Sequence, residues 1–127
     1  MTYLEIMEKV NEKIAKAGLL RQNIAKELQV SASSLTVILR GKSCMLYFLL
    51  DLLDEVGLEL VINDKVPVKS HQDLIDYINR MDFVKRQVAA KANVLVSTID
   101  TFVRGDNVQV AKVFVVLDAM GIELRIL

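Results

Sequence analysis

The feature that most constrains this chain is an internal repetition: residues 6–63 match residues 70–127 without a gap, each position finding its counterpart 64 residues on. Identities include Ile14/Ile78, Ala25/Ala89, Val30/Val94, Ser33/Ser97, Arg40/Arg104, Gly41/Gly105, Gly57/Gly121 and Glu59/Glu123. Other pairs, such as Leu35/Ile99, Ile38/Phe102 and Leu50/Phe114, keep the apolar class. One such unit alone buries little surface, so the copies are expected to pack together. A duplicated unit implies a pseudo-two-fold molecule, which suits a two-fold partner, and DNA is the first such partner to consider.

Composition narrows the class. With 53% hydrophobic residues, 25% charged residues and one proline among 127, the chain reads as a fully folded globular protein. Sixteen Lys and Arg balance sixteen Asp and Glu, so no overall positive field favours strong non-specific nucleic-acid binding. Cys44 is the only cysteine and aligns with Val108, which suggests a small apolar site and leaves no intrachain disulfide. His71, the only histidine, is expected at the surface near the start of the second unit. One His and one Cys supply neither a catalytic triad nor a zinc ligand set, and no glycine-rich phosphate loop is present. An enzyme is therefore not expected, nor a metal or cofactor. The start of the chain lacks a signal-peptide pattern and no apolar run reaches the roughly 20 residues that span a bilayer, so the expected location is cytoplasmic, with no membrane partner.

The periodicity predicts four helices per unit. Ile6, Met7, Val10 and Ile14 form an apolar stripe on a first helix that stops near Gly18. A short second helix carries Ile24, Ala25 and Leu28, and Gln29, Val30 and Ser31 form a turn in which Ser31 caps a third helix with Leu35, Ile38 and Leu39. A fourth helix with Leu46, Leu49, Leu50, Leu53 and Val56 ends at Gly57, and Leu58, Leu60 and Ile62 then alternate with Glu59 and Val61 in a strand. The second unit repeats each step, ending in a strand at 122–126. These readings divide the chain into a first unit at 1–63, a linker at 64–69 that holds the only proline, and a second unit at 70–127.

The tight corner between helices two and three, Ile24-Ala25-Lys26-Glu27-Leu28-Gln29-Val30-Ser31, is repeated as Val88-Ala89-Ala90-Lys91-Ala92-Asn93-Val94-Leu95. With Arg40-Gly41 and Arg104-Gly105 closing the third helices, the chain resembles the Cro/C1-type helix-turn-helix family of phage repressors and related antitoxins. The small Ala25 and Ala89 let helix two cross helix three closely, Val30 and Val94 plug the corner, and Gly41 and Gly105 turn the chain where it would pass a phosphate. The resemblance covers essentially the whole chain and implies a mostly α fold of two repeated lambda-repressor-like four-helix units. Each is followed by a short strand, the two strands pairing as an antiparallel ribbon so that one chain imitates a dimer. A ribbon centred on Leu60 facing Leu124 would set Glu59 opposite Arg125 as an attractive cross-strand pair.

Carried over from the family, the groove-reading positions fall on Ala32, Ser33, Ser34 and Thr36, and on Val96, Ser97, Thr98 and Asp100 in the second unit. Hydroxyls discriminate bases less than a bidentate Arg, Asn or Gln, so this is a weak reading surface. Phosphate-gripping positions fall on Arg21, Gln22, Arg40 and Lys42, and on Lys85, Arg86 and Arg104. Arg40 and Arg104 have a second reading as caps of the carbonyl end of helix three. Leu95 replaces the capping Ser31, Asp100 replaces Thr36 and Asp106 replaces Lys42, which makes the second unit the poorer DNA binder.

The resemblance implies a sequence-specific DNA-binding transcriptional regulator, more often a repressor, on an imperfect palindromic operator. The alternative is a protein-binding regulator, antitoxin-like or anti-activator, that keeps the fold, as Leu95 and Val96 on the groove face would favour. The fourth helix is apolar nearly all round. Tyr47, Phe48, Leu52 and Val116 are expected to pack between the repeats, or else to offer a surface for a partner protein or self-association.

Overall fold

The computed structural model describes residues 1–63 and 65–127 and is mostly helical, with a small antiparallel sheet. Helix α1 (Tyr3–Lys16) opens with a reciprocal cap between Thr2 and Glu5 and buries Ile6, Met7, Val10 and Ile14. Helix α2 (Arg21–Glu27) turns through Gln29, whose φ of 57° is left-handed, into α3 (Ala32–Leu39). Ser31 caps α3 as expected, its hydroxyl accepting from the Ser34 amide at 3.1 Å. Helix α4 (Leu46–Val56) stops at Gly57, whose φ of 77° suits a residue without Cβ. Helices α5 (His71–Asn79), α6 (Lys85–Ala92), α7 (Val96–Val103) and α8 (Val110–Ala119) follow.

Three short strands, β1 (Leu60–Ile62), β2 (Val66–Val68) and β3 (Leu124–Ile126), form one sheet in the order β2-β1-β3. Part of the expected linker is therefore ordered structure: Val66–Val68 folds back antiparallel on β1 and Val68 is buried. Asp64, the first residue of that linker, lies outside the described residues. The β1–β3 register also differs from expectation. Leu60 faces Ile126, Val61 faces Arg125 and Ile62 faces Leu124, so Glu59 has no cross-strand arginine.

The observed register faces Leu60 with Ile126 and Ile62 with Leu124, and a shift of two residues would keep the same apolar set on one face, so apolar burial does not choose between the registers. The exposed Glu59–Arg125 pair it forgoes is worth about 0.2–1 kcal/mol. The register is pinned beyond the strands, where the Asn63 amide donates to the Glu123 carbonyl at 2.9 Å and the Glu123 amide to Asn63 Oδ1 at 3.0 Å. Val61, expected on the open face, is buried because β1 is central and the Pro67 and Arg125 side chains flank it.

One apolar cluster joins α1, α3 and α4 to Leu74, Ile78, Val110, Val113 and Leu117 from the other half. A smaller cluster holds Val88, Ala89, Ile99 and Val116. Ala25 and Ala89 are buried at the helix crossings, and Cys44 and Val108 are both buried. Leu52 (0% exposed) and Val116 (2%) lie wholly inside, so neither can serve a surface for self-association. Val116 packs against α6 and α7 and not across the repeat, because its helix turns that side toward its own unit. Phe48 is half-buried against the main cluster and Tyr47 is 42% exposed. Leu52→Ala should lower unfolding free energy by about 2–5 kcal/mol in urea denaturation. Val115→Ala, on the exposed side of α8, should shift it by less than about 0.5 kcal/mol.

Candidate nucleic-acid interface

The two halves meet at the start of their fourth helices. Neither Met45 nor Gln109, the residues preceding α4 and α8, caps its own helix with a side chain, so the first amides of both helices need other acceptors. Each half supplies them to the other. The Leu46 amide donates to the Val108 carbonyl at 2.7 Å and the Val110 amide to the Cys44 carbonyl at 2.8 Å. One turn position further on, the Tyr47 amide donates to Asn107 Oδ1 at 3.0 Å and the Ala111 amide to Ser43 Oγ at 3.3 Å. Every one of these bonds has its counterpart 64 residues away, as does the Met45–Gln109 bridge at the centre.

Beside this junction runs the outer face of α3. Ser33, Ser34 and Val37 are exposed and share a groove of about 460 Å³ with Lys42, Met45 and Gln109. Ala32 is exposed at the first turn, while Thr36 is half-buried and donates its hydroxyl to its own helix at Ala32 O, 2.9 Å away. The Ser31 hydroxyl joins those of Ser33 (3.1 Å) and Ser34 (2.9 Å), which orders the first turn. Arg21 and Arg40 line a second cleft beside α1, and Asn11 ties that side down by donating to the Leu39 carbonyl at 2.9 Å. Arg21, Gln22, Arg40 and Lys42 are all exposed. Among the described residues Arg21, Arg40 and Lys42 form no ion pair.

The second half presents a different surface. Ser97 is exposed, and Thr98 and Asp100 are half-buried. Lys85 Nζ lies 2.8 Å from Asp100 Oδ1, and Arg104 donates through Nη2 (2.8 Å) and Nε (3.1 Å) to Asp106 Oδ2. The Arg104 guanidinium thus engages a carboxylate, not the carbonyl end of α7. Arg86 is exposed. Leu95, which replaces the capping serine, is 73% exposed and gives α7 no side-chain cap.

Two sites were not anticipated. Val37, 42% exposed, is as much part of the α3 face as Ser33 and Ser34; its spacing of three and four residues from them was the available signal. His71 is 5% exposed, not at the surface. Its counterpart is Met7, a core residue of α1, so the repeat itself marked the position as internal. The ring packs between Tyr47 (centroids 5.8 Å apart) and Phe102 (4.9 Å). Neither ring nitrogen completes a hydrogen bond, although the Phe102 and Gly105 backbones lie close, and burial lowers the imidazole pKa below its ordinary value.

No family model, curated protein or solved structure matches this chain. Among the described residues, no helix is long and apolar enough to cross a membrane.

Because the folded His71 resists protonation while the unfolded one titrates near pH 6.5, the unfolded state binds more protons below that value. The stability contributed by neutral His71 is complete above about pH 6.5 and is lost as pH falls through the lowered folded pKa. Thermal melts of wild type and His71→Phe between pH 7.5 and pH 5 should show a steeper acid loss for wild type; parallel curves would refute it.

Proposed function

We propose that this chain is a DNA-binding transcriptional regulator built from two Cro/C1-type helix-turn-helix units in one polypeptide, the pseudo-dimer that the repeat suggests. What carries this reading is the α3 face: uncovered, hydroxyl-bearing, flanked by Arg21, Arg40 and Lys42, and adjacent to the junction about which the halves are related. Helices α3 and α7, and strands β1 and β3, stand 64 residues apart in number, as two copies of one unit would. Left-handed Gln29 and Asn93 also occupy equivalent corners between helices two and three.

In this reading the cations position the chain on phosphates, and Ser33, Ser34 and Val37 meet base edges in the major groove, Val37 through apolar contact such as a thymine methyl offers. The weak hydrogen-bonding repertoire of that face gives modest sequence discrimination. A repressor role follows only from the family resemblance. The second reading, a regulator acting through protein contacts, draws on Leu95 and Val96, exposed on α7 where the first half has Ser31 and Ala32.

Arg40→Ala combined with Lys42→Ala should weaken binding to every duplex tested and reduce the slope of log K against log salt by about 2, near 0.9 for each phosphate no longer neutralised. Ser33→Ala and Ser34→Ala should instead alter the ranking among sequences selected from a random library. Electrophoretic shifts insensitive to the removal of both cations, or absence of retention on DNA at low salt, would count against the assignment.

A further inference from the structure

The two halves carry equivalent cations but treat them oppositely. Arg21 and Arg40 correspond to Lys85 and Arg104. In the second half Thr36 is replaced by Asp100 and Lys42 by Asp106, and each new carboxylate holds one of that half's cations at 2.8 Å. A carboxylate oxygen is an anionic acceptor, as a phosphate oxygen is, and Arg104 directs two N–H groups at Asp106 as it would at a backbone phosphate.

We propose that Asp100 and Asp106 stand in for DNA phosphates within the chain itself, so that the chain grips DNA chiefly through its first half, with Lys85 and Arg104 of the second half electrostatically closed and Arg86 left exposed. This inference rests on the DNA-binding reading and deepens it. Closure does not require strong ion pairs, and exposed pairs such as these are weak. It requires only that the cations be already neutralised, so that approach to a phosphate displaces no counterion and brings that phosphate beside a fixed carboxylate. Leu95 in place of Ser31 takes one hydroxyl from the same face. The operator would accordingly resemble one half-site extended by non-specific contacts, not two equal halves.

The test is the salt dependence of binding to a labelled random-sequence duplex about three helical turns long. Wild type should show a slope set chiefly by the first half, and Lys85→Ala with Arg104→Ala should leave it essentially unchanged. Asp100→Asn with Asp106→Asn should steepen it by about 2, as two freed cations would. Asp54→Asn with Glu55→Gln, on exposed positions near the end of α4, makes the same change in net charge and should steepen it far less. The inference is overturned if the Lys85 and Arg104 removals lower the wild-type slope by about 2, or if both carboxylate pairs act alike. Failure of wild type and every variant to bind the duplex would overturn the DNA-binding reading itself, and this inference with it.

Discussion

The organisation of the molecule depends on two helix starts that cannot satisfy their own backbone. Helices α4 and α8 begin after Met45 and Gln109 without a side-chain cap, and a buried amide without an acceptor costs about 1–3 kcal/mol. The carbonyls of Val108 and Cys44, and the side chains of Asn107 and Ser43, close these helices from the opposite half. The first amides of α4 and of α8 thus find their acceptors in the opposite half of the chain. That exchange brings together Leu46 and Val110, both fully buried, and with them the apolar cluster spanning the halves.

A second contact, far along the chain, repeats the same relation. Strands β1 and β3 pair about Val61 and Arg125, which are equivalent residues, just as Met45 and Gln109 are. Two junctions built about equivalent positions are what a pseudo-two-fold arrangement demands, because a bond from one half then implies its symmetric partner from the other. Strand β1 also pairs with β2 on its other edge, which completes the order β2-β1-β3.

The surfaces of the two halves differ. On α3 the outward residues are Ser33, Ser34 and Val37, and among the described residues the neighbouring Arg21, Arg40 and Lys42 form no ion pair; beside α7, Lys85 and Arg104 are held by Asp100 and Asp106, and Leu95 and Val96 stand exposed at the helix start. Core positions tolerate only exchanges of similar size, whereas exposed positions change freely without cost to the fold. The interior therefore keeps the likeness of the halves while their outer faces diverge. His71 is the exception, an imidazole in the place of Met7, and it leaves two buried nitrogens without partners.

Much of the architecture was legible in the amino-acid order. The stripe Ile6, Met7, Val10 and Ile14, the cap at Ser31, the stop at Gly57 and the small Ala25 and Ala89 are local signals, governed by helical spacing and backbone conformation within a few residues. Of the candidate interface, the cations and Ser33, Ser34 and Ser97 lie exposed, as the sequence suggested. Tertiary structure alone decided the rest. The strand register, the ordering of Val66–Val68, the burial of Val61, Leu52 and His71 and the pairing of Lys85 with Asp100 each depend on what residues distant in sequence present to them. Local pattern records a side chain's own preference; the neighbour that completes a hydrogen bond, covers a face or neutralises a charge is chosen only when the chain closes on itself.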